Sequence, residues 1–163
     1  MTDYDEPKEE ERWCEECRAV AVRYFKETGV AHGEIGEWPA CHLAPYISIW
    51  AIESKKAPGW VGWWAIAGDI PTDYISAETI KHPRDAMRRF GEHWEEIARY
   101  MAAGRKHPDT NIGKPEDWPK LGPLLQARSK LLLDWPAMMS CGKRMLSNHN
   151  HSLKLDGPDG PPT

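Results

Sequence analysis

The chain has 163 residues, 40% of them hydrophobic and 28% charged, and its 21 lysines and arginines stand against 25 aspartates and glutamates. A chain of that size buries roughly 68–70% of its unfolded surface on folding, enough for a core without staples. The mildly acidic balance excludes the basic surface that non-specific nucleic-acid binding needs, and no apolar run approaches the ~18 residues of a membrane span. The first residues, MTDYDEPKEEE, are acidic where a secretory leader would be basic and then apolar, so a cytoplasmic protein is expected, with neither nucleic acid nor membrane as partner.

Pro7 suits the first position of a helix, Asp5 or Glu6 can cap it, and Glu9, Glu10 and Glu11 favour the positive end of its dipole. Trp13, Cys17, Val20 and Tyr24 recur at intervals of four and three, Cys14, Ala21 and Phe25 widen the stripe, and Gly29 supplies the stop. The spacing predicts an amphipathic helix over 7–28. Residues 30–39, VAHGEIGEWP, are punctuated by glycine and proline and are read as a short edge strand.

YISIWAI at 46–52 and WVGWWAIA at 60–67 are β-branched and aromatic runs whose separation predicts a hairpin. If Glu53 lies opposite Trp60, then Trp50 faces Trp63 and Ile49 faces Trp64. Ile47, Ile49, Trp64 and Ile66 then share one side, and Tyr46, Ser48, Trp50, Trp63, Ala65 and Ala67 share the other. The second side mixes rings with small residues and suggests a groove, unless the sheet is covered on both faces.

GDIPTDYIS at 68–76 is a turn followed by a brief extended piece, and Pro83 opens a second helix over 83–103 in which Met87, Phe90, Trp94, Ile97 and Met101 keep three-four spacing up to Gly104. The segment RKHPDTNIGKPEDWP reads as a polar linker, and a third helix is expected over 121–134 from Leu121, Leu124, Leu125, Leu131 and Leu132. Residues 1–140 are read as one globular domain and 141–163 as a flexible tail rich in glycine, proline and polar residues. Helix, strands, helix, helix in this order predict an α+β fold, a small mainly antiparallel sheet packed against three helices.

WCEECRA at 13–19, PYISIWAIESKKAPGWVGWWAIAGDIPTDYIS at 45–76, and HPRDAMRRF at 82–90 with Trp94 resemble a family of small bacterial proteins catalogued only as a domain of unknown function. The resemblance covers about residues 10–103 and does not extend through the C-terminal tail. It implies a compact cytoplasmic protein and carries no activity with it.

Without an export signal the four cysteines are expected reduced. Cys14 and Cys17, at i and i+3, with Cys41 and His42 are a candidate zinc set, but thiols on the apolar stripe of a helix behave as small hydrophobes. Cys41 and His42 are neighbours and point to opposite faces of an extended segment. Cys141, His149 and His151 lie in the tail and are read as solvated. With no nucleotide or metal motif present, no cofactor is expected.

Asp69, Asp73 and Tyr74 stand just past the hairpin, and His82, Arg84 and Asp85 stand at a helix start, where free amides favour an anion. The leading expectation is a binding or interaction module that presents Tyr46, Trp50, Trp60, Trp63, Asp69, Asp73, Tyr74 and Arg84 to a partner protein or small ligand. The alternative is an enzyme using Asp69, Asp73 and His82 for acid–base chemistry.

Overall fold

The computed structural model describes residues 6–110, 112–135 and 140–141. The protein is α+β, with α1 at Pro7–Thr28, β1 at Cys41–Leu43, β2 at Ile47–Glu53, β3 at Val61–Gly68, β4 at Asp73–Ser76, α2 at Pro83–Ala102, α3 at Trp118–Asp134 and β5 at Ser140–Cys141. The strands form an antiparallel sheet in the order β4-β3-β2-β1-β5. The described residues group into two compact units, one running to Ala86 and including Ser140 and Cys141, the other starting at Met87.

In the first unit α1 begins at Pro7 and stops at the left-handed Gly29, as the sequence pattern requires; Glu6 is its N-cap and makes no side-chain capping bond. Its stripe of Trp13, Cys14, Cys17, Ala21 and Phe25 packs on Trp50, Ile52, Ala65 and Ala67 of the hairpin. Arg18 ties the helix to the neighbouring segment by donating from Nε to the Gly36 carbonyl and from Nη2 to the Ile35 carbonyl, both at 2.9 Å. The opposite side of the hairpin, with Ile47, Ile49, Trp64 and Ile66, is also buried.

The hairpin pairs two residues out of the expected register: Trp50 lies opposite Ala65, Ile49 opposite Ile66, and Ile52 opposite Trp63. The connection explains the shift. The Ser54 amide donates to the Trp60 carbonyl at 2.8 Å, and Gly62 is an extra residue between the Ile52–Trp63 and Glu53–Val61 pairs. A Cβ on Gly62 would fall 2.9 Å from the Ser54 Cα, so the bulge needs a residue with no side chain. A shift of two conserves every face, since side chains alternate with period two.

The strand expected over 30–39 is replaced by an isolated bridge between Ile35 and Ile52, and the regular strand beside β2 lies at Cys41–Leu43 instead, itself paired with β5. The run along β2 breaks after the Gly36 amide donates to the Ala51 carbonyl at 3.0 Å and resumes when the Ala40 amide donates to the Ile49 carbonyl at 2.7 Å.

The second unit is an antiparallel pair built from α2 and α3. Gly91 of α2 lies against Leu132 and Leu133, and Gly122 of α3 lies against Met101, where an added Cβ would stand 3.4 Å from the methionine Cβ. Small residues at both ends bring the helix backbones close together. α3 starts at Trp118, three residues before the expected Leu121, because Pro119 occupies the first turn, where a missing amide costs nothing. A 3-10 turn at Pro115–Asp117 leads into it.

Candidate functional site

The structure separates the residues of the expected aromatic face. Trp50 is fully buried under α1 and leaves the candidate set; its Nε1 donates to Ser48 Oγ at 2.8 Å, and that hydroxyl donates to the Ala67 carbonyl at 2.7 Å. Trp63 and Tyr74 are half-buried against the same cluster, and Tyr74 meets Phe25 and Tyr24 edge-on at 5.2 and 6.0 Å. Trp60 is half-buried in the hairpin connection. The helix that uses its cysteine and aromatic stripe to cover the indoles thereby removes the groove. Tyr46 is 45% exposed, and its carbonyl accepts the Asp69 amide at 2.8 Å. Asp73 accepts the Tyr74 amide at 2.8 Å. His82 Nδ1 accepts the Arg84 amide at 3.1 Å, and its carbonyl accepts from Asp85 and Ala86, so this histidine shapes the start of α2.

The cysteines also divide. Cys41 and Cys141 form a disulfide across β1 and β5, correcting the expectation of four reduced thiols and removing Cys41 from the zinc set. His42 turns to the α1 side, with Nε2 3.0 Å from Glu10 Oε1, while Cys41 pairs with Ile49 and shares the other face. Residues of the expected tail beyond Cys141, including His149 and His151, lie outside the described residues.

Cys14 and Cys17 form no disulfide and are buried under the sheet. Burial pushes the Cys17 thiol up to about 11 from 9.0, against a smaller opposing effect of its hydrogen bond with Ser48. Below pH 9 both folded and unfolded chains keep this proton; between 9 and about 11 only the unfolded chain releases it, so stability falls as pH rises. Urea unfolding at pH 8.5 and 10.5 should therefore show a smaller alkaline loss in Cys17→Ala than in the parent protein. Equal losses would contradict this role for the thiol. Burial also raises Tyr24 to about 12, with Asp73 and Tyr74 adding to the shift, but that residue is common to both proteins.

A site the sequence reading missed lies in the second unit. Gly104, with φ of 68°, ends α2 in the left-handed conformation, and the Arg105 amide returns to the Tyr100 carbonyl at 2.9 Å. The reversal lays His107 back along α2. His107 is 5% exposed, its ring 4.9 Å from that of Tyr100 and 5.5 Å from that of His93. Its Nε2 stands 3.4 Å from Glu96 Oε2, and its Nδ1 accepts the Asp109 amide at 3.1 Å. The donor atoms of His93, Glu96 and His107 all lie within 4.8 Å of one another.

Beside this cluster is a cavity of about 350 Å³. Ile97, Met101 and Trp118 supply apolar wall, while Arg105, Lys106 and Lys114 supply cations, and His107 reaches both cavity and cluster. The buried Trp118 Nε1 has no hydrogen-bond acceptor among the described residues. A readable signal existed: His93 and Glu96 sit at i and i+3 on α2, and basic residues crowd the segment after its stop. The linker reading hid it, because nothing local shows that His107 returns to the helix.

The family model described as "Domain of unknown function (DUF4826)" matches residues 7–136. The chain belongs to this family. The match runs through α1, the four longer strands, α2 and α3, and so includes the His93, Glu96 and His107 cluster and the cavity beside it. No curated protein and no solved structure matches the chain. Among the described residues, no helix is long and apolar enough to cross a membrane.

Proposed function

We propose that this family member is a small-ligand binding module and that its binding site is the cavity of the α2–α3 unit rather than the aromatic face of the hairpin. The observation that carries the reading is an apolar wall beside a buried donor: Trp118 lines a cavity flanked by three cations, and its Nε1, shielded from solvent, lacks an acceptor among the described residues. Leaving a buried N–H unpaired costs roughly 1–3 kcal/mol, so a small shift of the Trp118 ring that brings its N–H to a ligand oxygen would be favoured. The volume falls within the range of small-molecule sites, and apolar walls with a few polar groups are their usual form. The ligand chemistry that fits is an anion with an apolar body, its charge toward Arg105, Lys106 and Lys114 and its body against Ile97, Met101 and Trp118.

Titration with octanoate, with octanol as the neutral control, tests this. Octanoate should shift the NMR resonances of cavity residues at concentrations where octanol does not. Lys114→Ala should weaken octanoate by about threefold to tenfold, or ~1 kcal/mol, as expected for one partly solvated charge. Shifts confined to residues outside the cavity, or an undiminished affinity in a Lys114→Ala, Arg105→Ala double variant, would defeat the proposal. The acid–base reading at Asp69, Asp73 and His82 gains no support, since the observed bonds of Asp73 and His82 serve the starts of β4 and α2.

A further inference from the structure

We infer that His93, Glu96 and His107 form a binding site for a divalent transition metal of the zinc class. Two imidazoles and one carboxylate are the donor types such ions take, and a three-residue set leaves coordination positions open for water or a ligand. Ligands 2.0–2.2 Å from a tetrahedral ion stand about 3.4 Å apart, and His107 Nε2 and Glu96 Oε2 are separated by 3.4 Å. His93 and Glu96 come from one face of α2, and His107 is delivered by the Gly104 reversal, so helix geometry sets two donors and the buried third cannot wander. The spread of up to 4.8 Å among the three closes by rotation of the exposed Glu96 side chain and the half-buried His93.

The competing account is a plain ion pair between His107 and Glu96, and the tautomer bears on the choice. Since Nδ1 of His107 accepts the Asp109 amide, the neutral ring carries its proton on Nε2, facing Glu96. An ion at Nε2 requires that proton to move to Nδ1 and the Asp109 bond to open. One backbone hydrogen bond is thus exchanged for three metal–ligand bonds, an exchange that favours the ion. His107 also lines the cavity, so this one residue is common to the ion site and to the space assigned above to an anion. The metal rests on the donor set alone, and its test uses no octanoate.

Untagged protein, stripped with a chelator and titrated with Zn²⁺ by calorimetry, should bind one ion per chain with micromolar or tighter affinity. Glu96→Gln changes an exposed side chain and should weaken Zn²⁺ by about tenfold or more, as should His93→Ala. Circular dichroism and the melting transition of the stripped variants should match those of the stripped parent, as folded variants require. A Cys14→Ala, Cys17→Ala variant and a His149→Ala, His151→Ala variant should bind as the parent does. With Co²⁺, the visible spectrum should show d–d bands and lack an intense thiolate charge-transfer band. Absence of Zn²⁺ uptake, unchanged uptake in Glu96→Gln and His93→Ala, loss of uptake in the cysteine or tail variants, or a thiolate band would each overturn the site.

Discussion

Trp50→Ala should destabilise the protein by about 3–5 kcal/mol, a loss of the size that follows removal of a large ring from a packed interior. Trp50 has no exposed surface, and it sits between α1 and the sheet beside Cys17, Ala65 and Ala67. The substitution also strips Ser48 Oγ of the donor at Trp50 Nε1, although Ser48 keeps its own bond to the Ala67 carbonyl. Urea unfolding followed by circular dichroism measures the change. A recognition residue on an open face would cost far less, within about 0.5 kcal/mol, so a small effect would return the indole to the surface. Tyr46→Ala is the internal comparison: Tyr46 is 45% exposed, and its backbone carbonyl keeps the bond from the Asp69 amide in the variant.

The second large effect belongs to the Cys41–Cys141 bond. It joins residues separated by 100 positions, and in the chain-entropy account a loop of that size loses about 4.7 kcal/mol of unfolded-state freedom. Cys141→Ala, or reduction of the parent protein, should therefore lower stability by up to about that amount, read from the shift of the urea midpoint at constant slope. The two treatments should agree, and a parent protein indifferent to reductant would show that the bond contributes nothing. The same experiment ties stability to surroundings, since thiol pools of reducing compartments open disulfides that oxidising ones preserve. Cys14 and Cys17 take no part, being buried under the sheet outside any disulfide.

Several elements were legible because their causes are local. The limits of α1 follow from Pro7 and Gly29, and its buried stripe follows from the three-four spacing of Trp13, Cys17 and Ala21. α2 follows in the same way from Pro83 and the run from Met87 to Met101. The two faces of the hairpin were readable from alternation alone, whereas its register was not. The bulge at Gly62 and the bond between Ser54 and Trp60 decide the register, and both are properties of the closed connection rather than of the residue pattern.

The amino-acid sequence by itself determined the α+β class, the start of α1 and α2 and which side chains share a face, because propensity, capping and periodicity act over a few residues. What covers the indoles, which cysteines pair and where His107 lands were decided only in three dimensions. Each depends on groups far apart in the chain: α1 meets Trp50 across more than 20 residues, Cys41 meets Cys141 across 100, and His107 meets His93 only after Gly104 reverses the backbone. Local patterns carry no record of such distances, since they are set by the packing that minimises exposed apolar surface over the whole fold.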